Sequence, residues 1–264
     1  MRLHHMIALT FILLALFSMR AQAQDFSISV TESAELPKNN FYVQFGEYVP
    51  AVSTDKSIQD YYDVFYGKKK NDPYMITFGW DWYFLDNFGL LGVTTQFGSW
   101  RAHGSSRVCY DDTLGEEVVS CNSTNINSSA EGNDTTSLSI LPISMGLVYR
   151  LDALKRSYNI PFVPYIKGAL QYFLWSNYGG TDISRINGEK GQGGTAGYHV
   201  AAGLAMALSW IEPGAAARGR ATSGIYDSYL YAEWNKIKAD HFGKKNRFDM
   251  SNQQINFGLA VELF

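Results

Sequence analysis

Gln254-Ile255-Asn256-Phe257-Gly258-Leu259-Ala260-Val261-Glu262-Leu263-Phe264 is the stretch that decides the fold. Ile255, Phe257, Leu259, Val261 and Leu263 recur at period two, with Asn256, Gly258, Ala260 and Glu262 between them. Successive side chains of a strand point to opposite faces, so this is a strand with one apolar and one polar face. Phe264 breaks the pattern, because it shares the parity of Glu262. Either the strand bends or bulges at Glu262-Leu263, or Phe264 turns under the end of the fold.

The same ruler, moved outward along the chain, finds seven more strands, an even total of eight. The first spans Phe41 to Val49 and alternates Phe41, Val43 and Phe45 with Tyr42, Gln44 and Gly46. The second, Tyr74 to Phe84, sets Ile76, Phe78, Trp80 and Trp82 against Thr77, Gly79, Asp81 and Tyr83. The third is Leu90 to Trp100, the fourth Leu138 to Arg150 and the fifth Phe162 to Trp175. In the fifth, Ile166, Leu170, Tyr172 and Leu174 oppose Tyr165, Lys167, Ala169 and Gln171. The sixth runs from Tyr198 to Trp210 and the seventh from Ile225 to Ile237, where Asp227, Tyr229, Tyr231, Glu233 and Asn235 share the polar face.

Long polar connections follow the odd strands, near residues 50–73, 101–137, 176–197 and 238–252. The others are shorter: Asp86-Asn87, Leu151 to Pro161, and Glu212 to Gly224. Alternating segments with long loops at one end and short turns at the other are the signature of an all-β, antiparallel, up-and-down transmembrane barrel. An even count places both termini on one side, the periplasmic side in such a barrel. Phe26, Ile28 and Val30 form a further alternating run, and Val108 to Cys121 reads as a hairpin bent at Gly115, so ten strands is the alternative count. Pro213 before Ala215, Ala216 and Ala217 marks a short helix, since proline is tolerated in a first helical turn.

Composition agrees. Aromatic residues make up 15% of the chain, as Tyr 17, Phe 16 and Trp 6, and rings collect at both interfaces of a membrane barrel. A net charge of -3 argues against a nucleic-acid partner. At the N-terminus Arg2 precedes an apolar run from Met6 to Phe17 and the small-x-small triplet Ala21-Gln22-Ala23. Residues 1–23 are therefore expected to be a signal peptide, removed after Ala23. Residues 24–40 then form a periplasmic tail and 41–264 the barrel. In that compartment Cys109 and Cys121 are expected to form one loop disulfide. No metal site or cofactor motif stands out.

The inward faces carry Asp81, Lys167, Asp227, Glu233 and Glu262. Eight strands leave an interior just wide enough for side chains to fill. These residues are expected to form one buried charge network in a plugged lumen, with an ion or ligand path as the alternative. Catalysis has three candidate histidines: His103 with Ser105 and Ser106, His199, and His241 beside Asp240. None forms a nucleophile, base and orienting group on adjacent strands. Lys68, Lys69 and Lys70, and Lys244, Lys245 and Arg247, lie in outer loops. They are solvated charge or contacts to lipopolysaccharide phosphates.

In architecture the chain resembles the small eight-stranded outer-membrane proteins of Gram-negative bacteria, and its terminal strand ending in Phe264 resembles their assembly signal. Phe41-Tyr42-Val43-Gln44-Phe45-Gly46-Glu47-Tyr48-Val49-Pro50, Tyr61-Tyr62-Asp63-Val64-Phe65, Pro161-Phe162-Val163-Pro164-Tyr165-Ile166-Lys167-Gly168 and Gly224-Ile225-Tyr226 to Trp234 are similar to a barrel family with many myxobacterial paralogues. The resemblance implies integral residence in the bacterial outer membrane, contact with its lipid and lipopolysaccharide, and handling by the barrel-assembly machinery. It brings no catalytic residues and no cofactor. The expected function is non-enzymatic, with loops serving surface interaction or envelope integrity. A narrow channel is the alternative and a lipid-modifying enzyme the third reading.

Overall fold

The computed structural model describes residues 36–52, 62, 66, 74–86, 88–110, 117–118, 130–186, 189–243 and 248–264. Eight long strands follow one another around a ring: β1 (Asn39–Glu47), β2 (Tyr74–Leu85), β3 (Leu90–Tyr110), β4 (Ala130–Arg150), β5 (Phe162–Gly179), β6 (Gln192–Ala207), β7 (Ile225–Lys238) and β8 (Asn252–Leu263). Each is antiparallel to the next. The ring closes because β8 pairs with β1, so that Phe41 faces Val261 on one side and Trp80 on the other. Closure removes the open sheet edges that otherwise invite aggregation.

Two short helices cap the end of the ring that carries the termini of the described chain. The first, α1 (Ala153–Tyr158), joins β4 to β5 and ends on Asn159 in the left-handed region at φ 53°. A single 3₁₀ turn, Leu208–Trp210, leads from β6 into α2 (Pro213–Ser223), which has proline in its first turn. Gly224, at φ 66°, then reverses the chain into β7, a conformation that costs glycine nothing.

The expected loop 101–137 is largely strand. β3 continues to Tyr110 and β4 begins at Ala130, and the two pair from Leu90↔Arg150 up to Val108↔Ala130. The loop 176–197 shrinks in the same way, because β5 extends to Gly179 and β6 starts at Gln192. Both extensions escape the alternation test for one reason. Outward positions change there from Phe97 and Leu141 to Arg101, His103 and Ser137, so the outer face loses its apolar period, while the inner face keeps buried Ala102 and Leu138. β6 in turn stops at Ala207, short of the expected Trp210.

Near the tip Cys109 lies opposite Val118 of a two-residue strand, Glu117–Val118, so the backbone does fold back as a hairpin. Cys121 lies outside the described residues, as do residues 1–35, with the signal-peptide cleavage site and the Phe26–Val30 run, and Lys68, Lys69, Lys70, Lys244, Lys245 and Arg247.

The parity problem at Phe264 resolves on the neighbouring strand. β8 keeps its register to Leu263. The partner β7 bulges instead, since Ile225 pairs with Leu263 and Asp227 with Glu262, leaving Tyr226 extra. The Phe264 ring then packs edge-on against Tyr226 with centroids 5.3 Å apart.

Burial is inverted relative to a water-soluble domain. Phe97 is 61% exposed and Leu170 68%, whereas Asp81 is 1% and Lys167 7% exposed. Rings and branched side chains such as Ile76, Phe78, Ile143, Ile166, Ile255 and Phe257 face outward around the ring. β2 and β8 have 12 residues each, close to the 9–11 or so that a tilted strand needs to cross a bilayer.

Candidate functional site

The lumen is layered, and its centre is Lys167. Asp81 Oδ2 lies 4.0 Å from Lys167 Nζ and Glu233 Oε2 3.7 Å. Two tyrosine faces complete the enclosure, with Nζ 3.8 Å from the ring centroid of Tyr42 and 5.2 Å from that of Tyr165. Tyr231 stands edge-on to both rings, at 6.2 Å and 6.1 Å. A desolvated ammonium over aromatic faces gains about 2 kcal/mol per good contact.

Backbone economy explains how three large rings fit within eight strands. Tyr42 lies opposite Gly79, Tyr165 opposite Gly203 and Tyr231 opposite Gly258 on the adjoining strands. A Cβ on Gly79 would meet the Tyr42 ring at 2.1 Å, and one on Gly203 the Tyr165 ring at 2.2 Å. Each ring therefore occupies the room its cross-strand glycine leaves. The hydroxyls are held as well: Gln96 Nε2 donates to Tyr42 at 2.8 Å, Tyr165 donates to Glu233 at 3.1 Å, and Tyr231 donates to Gln44 at 3.1 Å.

Asp227 and Glu262 do not join this cluster. They centre on Arg150 nearer the termini, and the Tyr83 hydroxyl links the two groups, accepting from Arg150 Nη1 at 3.3 Å and donating to Asp81 Oδ2 at 3.5 Å. Arg150 Nη1 lies 2.6 Å from Glu262 Oε1, and its guanidinium sits 4.6 Å over the Tyr229 ring. Tyr229 donates to Glu262 Oε2 at 2.7 Å. Lys155, on α1, reaches into the lumen to pair with Asp227, which also accepts from Ser209 Oγ at 2.5 Å. Arg150 and Lys155 were missed in the sequence. Arg150 shares the inward parity of Ser144 and Val148, which was a usable signal; Lys155 comes from a helix, where strand parity says nothing.

On the other side of Lys167 lies a belt of amides and hydroxyls that includes Gln44, Gln96, Ser144, Gln171 and Gln254. His199 belongs to it: buried, with Nδ1 3.1 Å from Gln171 Oε1. Above the belt the lumen turns apolar. Tyr48, Trp100, Ile140, Phe173 and Met250 pack together, with Tyr48 edge-on to Trp100 at 5.8 Å and stacked on Phe173 at 6.0 Å. This lid is absent from the sequence reading, which follows the inward face of the fifth strand no further than Gln171. Trp100 and Phe173 share parity with Gln96 and Gln171, so the signal was there.

The catalytic candidates stay apart. His103 lies on the β3 extension opposite Ser137, and His241 sits in the turn after β7. Asp240 is engaged by Lys238, whose Nζ lies 2.8 Å away and whose hydrogen bond holds the carboxyl below its usual range. Among the described residues no group of three histidines, cysteines or carboxylates converges as a metal site would need.

A closed antiparallel ring with an apolar outer wall and a charged, self-filled interior is a transmembrane β-barrel, since in lipid every strand edge must be paired and the polar groups turn inward. No protein-family model matches the chain, and no curated protein matches it. Solved structures of outer-membrane proteins do. The attachment invasion locus protein Ail of Yersinia pestis matches at 10% identity and a TM-score of 0.38, over 86% of this chain and 99% of Ail. A major outer membrane protein from Thermus thermophilus matches at 12% and 0.37, over 85% and 99%. The outer membrane protease OmpT of Escherichia coli matches at 9% and 0.27, over 86% and 92%. Likenesses this distant tie neither attachment nor proteolysis to this chain.

Proposed function

We propose that this is an integral outer-membrane barrel without a conducting pore or catalytic activity, which presents a raised β-ribbon for surface recognition. The termini end then faces the periplasm and the long-loop end the exterior. The observation that carries the reading is the asymmetry of that far end. β2 pairs with β3 only as far as Ser99, while β3 runs on to Tyr110 beside β4. Beyond Ser99 the strand found on the β2 side, among the described residues, is Glu117–Val118 at the very tip. A ribbon standing above the apolar belt gives an extended partner backbone groups to pair with and polar side chains to read.

Neighbouring groups suit a lipopolysaccharide surface. Lys236 and Lys238 are exposed on the outward parity just above Trp234, where cations meet headgroup phosphates. Lys68, Lys69, Lys70, Lys244, Lys245 and Arg247 are assigned the same contact, Phe264 the assembly signal, and Cys109 and Cys121 a disulfide in the ribbon tip. Replacing residues 107–130 by a short Gly-Ser turn tests the reading. Cell-surface attachment should fall while the amount of protein in the outer membrane stays constant, and unchanged attachment would contradict it. Incubation with labelled phospholipid or lipid A should yield no product; turnover would restore the enzyme reading.

A further inference from the structure

Between the Lys167 cluster and the Arg150 cluster lies a cavity of about 20 Å³, whose walls include Asn40, Tyr42, Asp81, Arg150, Lys167 and Tyr231. Three of these lining residues carry polar atoms still unsatisfied. Asn40 Oδ1, Asp81 Oδ1 and Arg150 Nε and Nη2 have no hydrogen-bond partner among the described residues. The three residues are 4%, 1% and 3% exposed, so bulk solvent does not satisfy them. Buried polar atoms are nearly always hydrogen-bonded, to protein or to ordered water.

We propose that this cavity is a binding site for a single water molecule, which donates to Asn40 Oδ1 and Asp81 Oδ1 and accepts from Arg150. Volume and chemistry agree on the occupant. A buried water needs about 10–15 Å³ and two to four polar partners, and this cavity offers both. Two acceptors and a donor match the two O–H groups and the lone pairs of water. A monovalent cation would sit against the guanidinium of Arg150 and the ammonium of Lys167. A halide would face the carboxylate and the amide oxygen. A second lumen space of about 10 Å³ in the amide belt is at the lower limit of size, and of the atoms without a partner it borders on Asn235 Oδ1 alone.

The Tyr83 hydroxyl already links the two ion clusters, between Arg150 Nη1 and Asp81 Oδ2, and the bridging water adds a second link. The polar chain runs from Lys155 and Asp227 through Tyr229, Glu262 and Arg150 to Asp81, Lys167 and Glu233. The apolar lid of Tyr48, Trp100 and Phe173 lies beyond the amide belt, so the polar path is blind at that end.

Crystals of the protein grown in parallel in rubidium chloride and sodium bromide test the site, at a resolution that shows ordered water. One peak within hydrogen-bond reach of Asn40, Asp81 and Arg150 is expected, with no anomalous signal from rubidium or bromine. An empty cavity overturns the proposal, as does an anomalous peak there. Magnetic relaxation dispersion of water in detergent solution gives an independent count. Ala260→Val, which pushes methyl groups into the same cavity, should remove one long-lived water from that count, and an unchanged count would also overturn it.

Discussion

Lys167 sits where a charge is hardest to replace. Removing one member of a buried ion cluster leaves the others uncompensated, at a cost of about 3–5 kcal/mol, whereas removing all members together is often close to neutral. Lys167→Met should therefore lower unfolding stability in urea by about 3–5 kcal/mol. Adding Asp81→Asn and Glu233→Gln to that variant should recover most of the loss. A single variant as stable as the wild type would show that the contacts at 4.0 Å and 3.7 Å carry no energy. The glycines make a second residue-scale test. Gly79→Ala drives a methyl into the Tyr42 ring and should cost about 1–3 kcal/mol, as overpacking does. Gly168, whose added Cβ would meet nothing within 4 Å, should accept alanine with little change in the same urea titration. Equal costs at the two positions would contradict the ring-over-glycine packing. Which side chains turn inward was legible, because parity alone decides it. Which charges meet was not, because partners such as Arg150 and Glu262 are 112 residues apart and only the register of the closed ring brings them together.

Strands were read well where lipid imposes a pattern and poorly where it does not. Ile255 to Val261 declared itself through one apolar face. The upper reaches of β3 and β4 are equally regular, but the outer positions Arg101, His103, Ser137 and Thr135 carry no apolar period, while inward Ala102 and Leu138 join the lid. Helix α1 was invisible for a related reason: its six residues are too few to show a 3.6-residue repeat. The ribbon adds pairing that the ring does not need, and this has a consequence. With residues 107–130 replaced by a short turn, β3 and β4 still pair through Ser105↔Thr135 and everything nearer the membrane. The shortened protein should still run at different mobilities on SDS gels with and without boiling. Identical mobility would mean that the ribbon is part of the folding unit.

At the largest scale the unit Leu36–Phe264 is a ring that fills itself. Its strand number was legible because each strand repeats one test and a slip by one residue would exchange lipid and lumen faces all along it. Its contents were only partly legible: charges in the lumen were expected, an apolar lid over them was not. Three successive fillings, ion clusters, amide belt and lid, occupy the lumen among the described residues, and two spaces between their side chains, of about 20 and 10 Å³, have room for one water or so rather than a hydrated ion. Purified protein in planar bilayers should give no single-channel steps, and steady conductance would reinstate the channel. The central claim is the inside-out wall itself. Spin labels placed singly from Gln254 to Glu262 in membranes, read by their collision rates with oxygen and with a water-soluble nickel chelate, test it most directly. Oxygen access should peak at Ile255, Phe257, Leu259 and Val261 and fall at Asn256, Gly258 and Ala260; a profile without period two, or with the two sets exchanged, would contradict it.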